Sequence, residues 1–81
     1  MKRIRMEVLG TGCPKCNKLA ANAQVAIEQA GIDAELVKVT DINEIASFGV
    51  AFTPALAIDG EIKSSGKLLT AEQIVAILTR R

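Results

Sequence analysis

The stretch from Ile4 to Gly31 constrains the fold more than any other part of the chain. It opens with a short apolar run, Ile4 to Leu9, that reads as a strand. The chain turns at Gly10-Thr11-Gly12 and enters a pattern of helical period. Cys16, Leu19, Ala20, Ala23, Ala26, Ile27 and Ala30 recur at steps of three and four residues, so one stripe of the helix faces a core. Lys15, Lys18, Asn22 and Gln29 fall off that stripe. Pro14 stands in the first turn, where its missing N–H removes no helical bond. Gly31 closes the helix at the usual C-terminal position. Ala34 to Val39 reads as the next strand, and a helical connection of this length predicts that it runs parallel to the first through a right-handed crossover.

The remaining elements follow from local signals. Asp41-Ile42-Asn43-Glu44 is a capping-box pattern that opens a short helix using Ile42, Ile45 and Ala46 and closed by Gly49. Ala55 to Ile58 and Glu61 to Lys63 flank Asp59-Gly60, a strong hairpin signal. Thr70-Ala71-Glu72-Gln73 is a second capping box, and the helix behind it presents Ile74, Ile77 and Leu78, with Val75 beside them. The order β-α-β-α-β-β-α predicts an α/β fold: a mixed four-stranded sheet covered by helices on both faces. With no repeat, linker or low-complexity segment, residues 1–81 read as a single domain.

Composition narrows the function classes. The chain is 49% hydrophobic, and Phe48 and Phe52 are its only aromatics, so the core is aliphatic and stacking on bases is disfavoured. The net charge is +1, with Lys2, Arg3 and Arg5 near one end and Arg80 and Arg81 at the other, which reads as solvated termini rather than a nucleic-acid stripe. The longest apolar stretch, Val50 to Ile58, is broken by Thr53 and Pro54 and falls short of the ~20 residues a membrane span needs. Met1-Lys2-Arg3 runs straight into the first strand pattern without an apolar leader, so the expected location is the cytoplasm.

Cys13 and Cys16 are the only cysteines, and there is no histidine. The pair lies where the first strand hands over to the first helix. Free backbone N–H groups and the helix dipole favour a thiolate there. Two thiols at this spacing can close a disulfide with each other, a reversible two-electron switch. In a cytoplasmic setting such a lone pair reads as catalytic or metal-binding rather than as a structural staple.

Three segments together resemble a known family: Gly10-Thr11-Gly12-Cys13-Pro14-Lys15-Cys16 after the first strand, Phe52-Thr53-Pro54-Ala55-Leu56 before the third, and Ser65-Gly66 before the last helix. The chain is similar over almost its whole length to small thioredoxin/glutaredoxin-like proteins, above all the short group called redox-active disulfide proteins. The resemblance implies a minimal thioredoxin-like fold and a thiol–disulfide oxidoreductase. It implies a cis Thr53-Pro54 bond facing the disulfide, with the residue-53 backbone as a strand-like edge for a substrate segment. Gly12, Thr53, Pro54, Ser65 and Gly66 become expected substrate-binding residues, Gly66 through a positive φ or a close approach to a bound chain.

Within that reading Cys13, exposed at the loop–helix junction, is the expected nucleophile. Cys16 lies on the apolar stripe beside Leu19 and Ala20, which predicts burial, a raised pKa and the part of resolving thiol. Pro14 and Lys15 would tune the pair, Pro14 by stiffening the loop and Lys15 by positive potential. No cofactor is expected beyond the Cys13–Cys16 disulfide, and no metal. The expected partners are protein disulfides and a reductase or low-molecular-weight thiol donor, with no nucleic acid and no membrane, and the chain acting as a monomer.

The chain also departs from its larger relatives. Gly12 stands where thioredoxins carry Trp, and Lys15 where glutaredoxins carry an aromatic. Lys67-Leu68-Leu69 follows Ser65-Gly66 where glutaredoxins place an Asp for glutathione. By spacing, Glu7 is the counterpart of the acid that thioredoxins bury under the resolving cysteine, but the preferred reading is an outward or edge carboxylate paired with Arg3 or Arg5. Two rival functions use the same cysteines: a soft-metal carrier for Cu(I) or zinc, and a binding module with a regulatory disulfide.

Overall fold

The computed structural model describes residues 3–79, so the basic residues Lys2, Arg80 and Arg81 lie outside the described residues. Four strands, β1 (Ile4–Leu9), β2 (Ala34–Val39), β3 (Ala55–Ile58) and β4 (Glu61–Ser65), form one sheet in the order β2-β1-β3-β4. Three helices, α1 (Pro14–Ala30), α2 (Ile42–Ser47) and α3 (Ala71–Thr79), complete the expected element order. β1 and β2 are parallel, as a helical connection requires, whereas β3 runs antiparallel to both β1 and β4. The sheet is therefore mixed, with β1 and β3 interior.

Side-chain alternation along β1 sorts the core into two layers. Met6 and Val8 point to the face covered by α1 and α3, where they meet Leu19, Ala23, Ile27, Ile74 and Leu78. Leu9 points to the other face, where it joins Val39, Ala55, Ala57 and Ile45 of α2. β3 is buried along its whole length, which explains why Ala55-Leu56-Ala57-Ile58 carries no polar residue. The aliphatic stripe on α1 buries as its period predicts.

Loop chemistry holds the layers in place. Asp59 and Gly60 both adopt positive φ (51° and 84°), as a two-residue hairpin between twisted strands demands. The Asp59 carboxylate also accepts the Arg5 N–H at 2.9 Å, tying the hairpin to β1. The Thr70 box closes reciprocally: Thr70 Oγ1 accepts the Gln73 N–H at 3.2 Å, and Gln73 Oε1 accepts the Thr70 N–H at 2.9 Å. Half of the first box forms, with Asp41 accepting from the Asn43 N–H at 2.8 Å. The Asn22 amide donates to the Leu69 carbonyl at 2.8 Å, pinning the loop before α3 to α1.

Three expectations need correction. Glu7 does pair with Arg5, at 3.8 Å, but it is not an outward or edge residue. β1 is flanked on both sides, so Glu7 is only 7% exposed, opposite Val37 and Ala57 in the sheet. Arg3 pairs instead with Asp33 at 3.1 Å. Ile42 does not join the core: it is 69% exposed and, with Ala46, lines an open groove facing Thr11 and Thr53. A helix of six residues makes fewer than two turns, and its buried side is Ile45 alone. β4 also runs two residues beyond Lys63, to Ser65, through a bulge opposite Leu56 and Ala57.

Leu19 is fully buried between α1 and the sheet, so Leu19→Ala should lower the unfolding free energy by about 2–5 kcal/mol. Urea titration at fixed pH measures it, and a loss of less than about 1 kcal/mol would contradict the packing described.

Candidate active site

The site begins where β1 ends. The Gly10 N–H donates to the Val39 carbonyl at 3.0 Å, which carries the sheet pairing one residue past β1. The chain then turns through Thr11 and Gly12 and enters α1 at Pro14. Cys13 is the N-cap of that helix, with extended dihedrals (φ −67°, ψ 161°), and its carbonyl accepts the Asn17 N–H at 3.0 Å. Its sulfur does what a Ser or Asp oxygen does at a helix start: it accepts the Cys16 N–H, at 3.3 Å. The first turn of α1 holds no acidic side chain, so the Cys13 sulfur has no side-chain anion to compete with there.

The two sulfurs are unequal. Cys13 is half-buried, and Cys16 is 5% exposed on the apolar stripe. The hydrogen bond from the Cys16 thiol, and then that from the Cys16 backbone N–H, hold the Cys13 pKa below that of an ordinary thiol. The Lys15 backbone amide adds a smaller pull in the same direction. Burial, and then donation to Cys13, push the Cys16 thiol up. A proton is thus shared unevenly between neighbours, with the negative charge favoured on the accessible sulfur.

Other parts of the site converge on Gly10. A β-carbon built there would overlap Cys16 Sγ and would touch Thr53 Cβ at 4.0 Å, so Cys16 and the Thr53 segment meet over the same backbone. The Thr53-Pro54 bond is cis; Pro54 is buried and Thr53 is exposed. The Pro54 carbonyl accepts the Gly66 N–H at 2.9 Å, which brings the end of β4 beside this loop. Gly66 has the expected positive φ, 72°, and its close approach is to the chain's own Phe52: a β-carbon would lie 3.1 Å from Phe52 Cβ. Phe52 itself is 69% exposed. Ser65 is exposed at the end of β4, and Lys15 is exposed on α1.

Of the residues singled out in the sequence, Cys13, Cys16 and Thr53 gather around the end of β1, with Pro54 and Gly66 adjoining through the loop. Glu7 enters neither sulfur's hydrogen bonding. Sequence reasoning missed two features. Gly10 reads as part of a tight loop, yet its φ is not positive and a β-carbon there would overlap Cys16 Sγ. Ile42 reads as a core residue, yet it borders the groove by Thr53. The signal for Gly10 was present as a second glycine so close to Gly12. Among the described residues, no group of three or more Cys, Asp or Glu comes together to hold a metal ion. None of the described helices is long and apolar enough to cross a membrane.

The fold and the paired thiols at a helix start define a thioredoxin-like redox domain. The chain belongs to the Thioredoxin domain family, which matches residues 4–79. It is 51% identical over 71 residues to a thioredoxin of Methanocaldococcus jannaschii, covering 88% of this chain and 81% of that protein. It is 38% identical over 76 residues to a thioredoxin of Methanothermobacter thermautotrophicus, covering 94% and 99%. Among solved structures it superposes on a malarial protein with a TM-score of 0.75 at 12% identity, over 98% of this chain and 97% of that one. It superposes equally well, TM-score 0.75 at 17% identity, on thioredoxin-2, a component of the malaria parasite protein secretion machinery, over 100% and 86%. These two likenesses concern the fold alone. Family and relatives together establish a thioredoxin-like redox function and, in general terms, oxidoreductase activity.

The rate of Cys13 alkylation should follow its thiolate fraction. It falls as pH drops through the depressed Cys13 pKa and levels off above it, with a midpoint below that of free cysteine. Cys16→Ala removes the leading contact and should move that midpoint up. Iodoacetamide labelling with peptide mapping across pH measures both, and an unchanged midpoint in the variant would contradict the assigned cause.

Proposed function

We propose that this chain reduces or exchanges disulfides in protein targets, with Cys13 as the attacking thiol and Cys16 as the resolving one. One observation supports this most: the two thiols differ in access, Cys13 capping α1 at the surface while Cys16 is buried beside it.

The Cys13 thiolate attacks one sulfur of a target disulfide. A Cys13–target bond forms, the target's S–S bond breaks, and the other target sulfur leaves as a thiolate that takes up a proton. Cys16 then gives its proton to solvent and attacks Cys13 Sγ. The Cys13–Cys16 bond forms and the Cys13–target bond breaks. The second target sulfur leaves as a thiolate and is protonated. The target gains two electrons and the pair loses them. A reductase or a low-molecular-weight thiol returns the pair to the dithiol form. No cofactor beyond the pair enters this cycle, and the cytoplasm, where thiols are kept reduced, suits it.

Surrounding residues have parts in the same reading. Pro14 fixes the first turn of α1, and Lys15 contributes a backbone amide and positive potential beside Cys13. The Thr53 backbone offers a strand-like edge to the target segment, and Gly12, Pro54, Ser65 and Gly66 contribute to its binding. The open groove of about 300 Å³ lined by Thr11, Ile42, Ala46, Val50, Ala51 and Thr53 gives an apolar target side chain a place to rest.

The roles are separable by trapping. Cys16→Ser should accumulate a covalent mixed disulfide with a disulfide-bonded protein such as insulin, whereas Cys13→Ser should not. Non-reducing gel electrophoresis reads the adduct. Equal trapping by both variants would exchange or erase the assigned roles. Tight stoichiometric Cu(I) binding without disulfide reductase activity would instead favour the carrier reading.

A further inference from the structure

We infer that Gly10 is a positioning residue for the resolving thiol: the space left by its missing side chain is the seat that holds Cys16 Sγ against the end of β1. The inference rests on the exchange reading and adds a residue to it. Of the six glycines, five adopt positive φ and Gly10 does not. A left-handed backbone therefore does not demand glycine at this position. Space demands it. A β-carbon on Gly10 would overlap Cys16 Sγ and lie 2.9 Å from Cys16 Cβ.

Neither side of that contact yields without consequence. The Gly10 backbone is held by its bond to the Val39 carbonyl, and Cys16 Cβ is carried by the helix backbone through the Asn17–Cys13 bond of the first turn. Sγ can turn about χ1, but Cβ cannot, and a helix already restricts χ1. A methyl group at position 10 therefore turns the Cys16 sulfur away and lifts the first turn of α1 off β1. The Cys13 sulfur moves with that turn, because its bond to the Cys16 N–H lies within it. The attacking thiol keeps its cap while the resolving thiol loses its aim. Thr53 Cβ, at 4.0 Å from the same point, is at ordinary contact distance and need not move.

Reduced protein mixed with dithiobis(nitrobenzoate) separates the two steps by absorbance. Cys13 attacks the reagent's disulfide and releases one coloured thiolate, leaving a Cys13–aryl mixed disulfide. Cys16 loses its proton, attacks Cys13 Sγ and releases the second, leaving the Cys13–Cys16 disulfide. In Gly10→Ala the first release should keep its order of magnitude, and the second should slow by about tenfold or more. A folded Gly10→Ala that gives the second release at the wild-type rate overturns the inference alone. A wild type that never gives the second release overturns the exchange reading and this inference with it. Thermal unfolding keeps the seat testable if Gly10→Ala folds poorly. The substitution should lower the Tm of the wild type but not that of Cys16→Gly, which lacks both contacting atoms. Equal lowering in both backgrounds refutes the seat.

Discussion

The hydrogen bond from the Cys16 N–H to the Cys13 sulfur organises the rest of the site. It makes a reactive atom serve as a structural cap. A helix start needs an acceptor for its free N–H groups, and here the acceptor is the sulfur that does best as an anion. With no acidic side chain in the first turn, the need of the helix and the need of the chemistry point to the same atom. The cap also sets the relation between the two cysteines. The residue that donates to Cys13 is Cys16, so whatever holds the helix start holds the pair together.

That junction stands on the sheet. β1 is interior, locked by β2 on one side and β3 on the other, so its C-terminal end is a rigid platform. Gly10 extends the platform one residue further, and Cys16 rests on it. β3 runs the opposite way, so the chain enters it at the same end of the sheet, which is why Thr53 arrives over Gly10. β4 then leaves toward that end, and Gly66 bonds to Pro54 there. A mixed sheet thus brings three separate segments of chain to one edge. An all-parallel sheet of this size would bring only loop ends that follow strands.

Much of this was legible beforehand. The stripe on α1, the hairpin at Asp59-Gly60 and the Thr70–Gln73 box are local patterns, and local patterns report on neighbours a few residues away. Cys13 and Cys16 were legible for the same reason, since their spacing and their place at a helix start are both short-range. The cis Thr53-Pro54 bond came from family likeness and not from local signals, which permit either isomer. Glu7 and Ile42 lie elsewhere than local patterns imply, because the burial of each depends on distant chain. Whether Glu7 is buried depends on β3 closing the far side of β1. Whether Ile42 is covered depends on how Thr11 and Thr53 face α2.

The amino-acid order alone determined which segments become strands and helices, where they stop, and which atoms can do redox chemistry. Periodicity, caps and turn residues act over one or two turns of chain, and that range is what a sequence displays directly. Only the tertiary structure decided which residue lies against the covered thiol and which backbone stands beside the pair. Those outcomes turn on contacts between residues far apart along the chain, such as Gly10 with Thr53 and Pro54 with Gly66, and only the packed sheet brings such residues within reach.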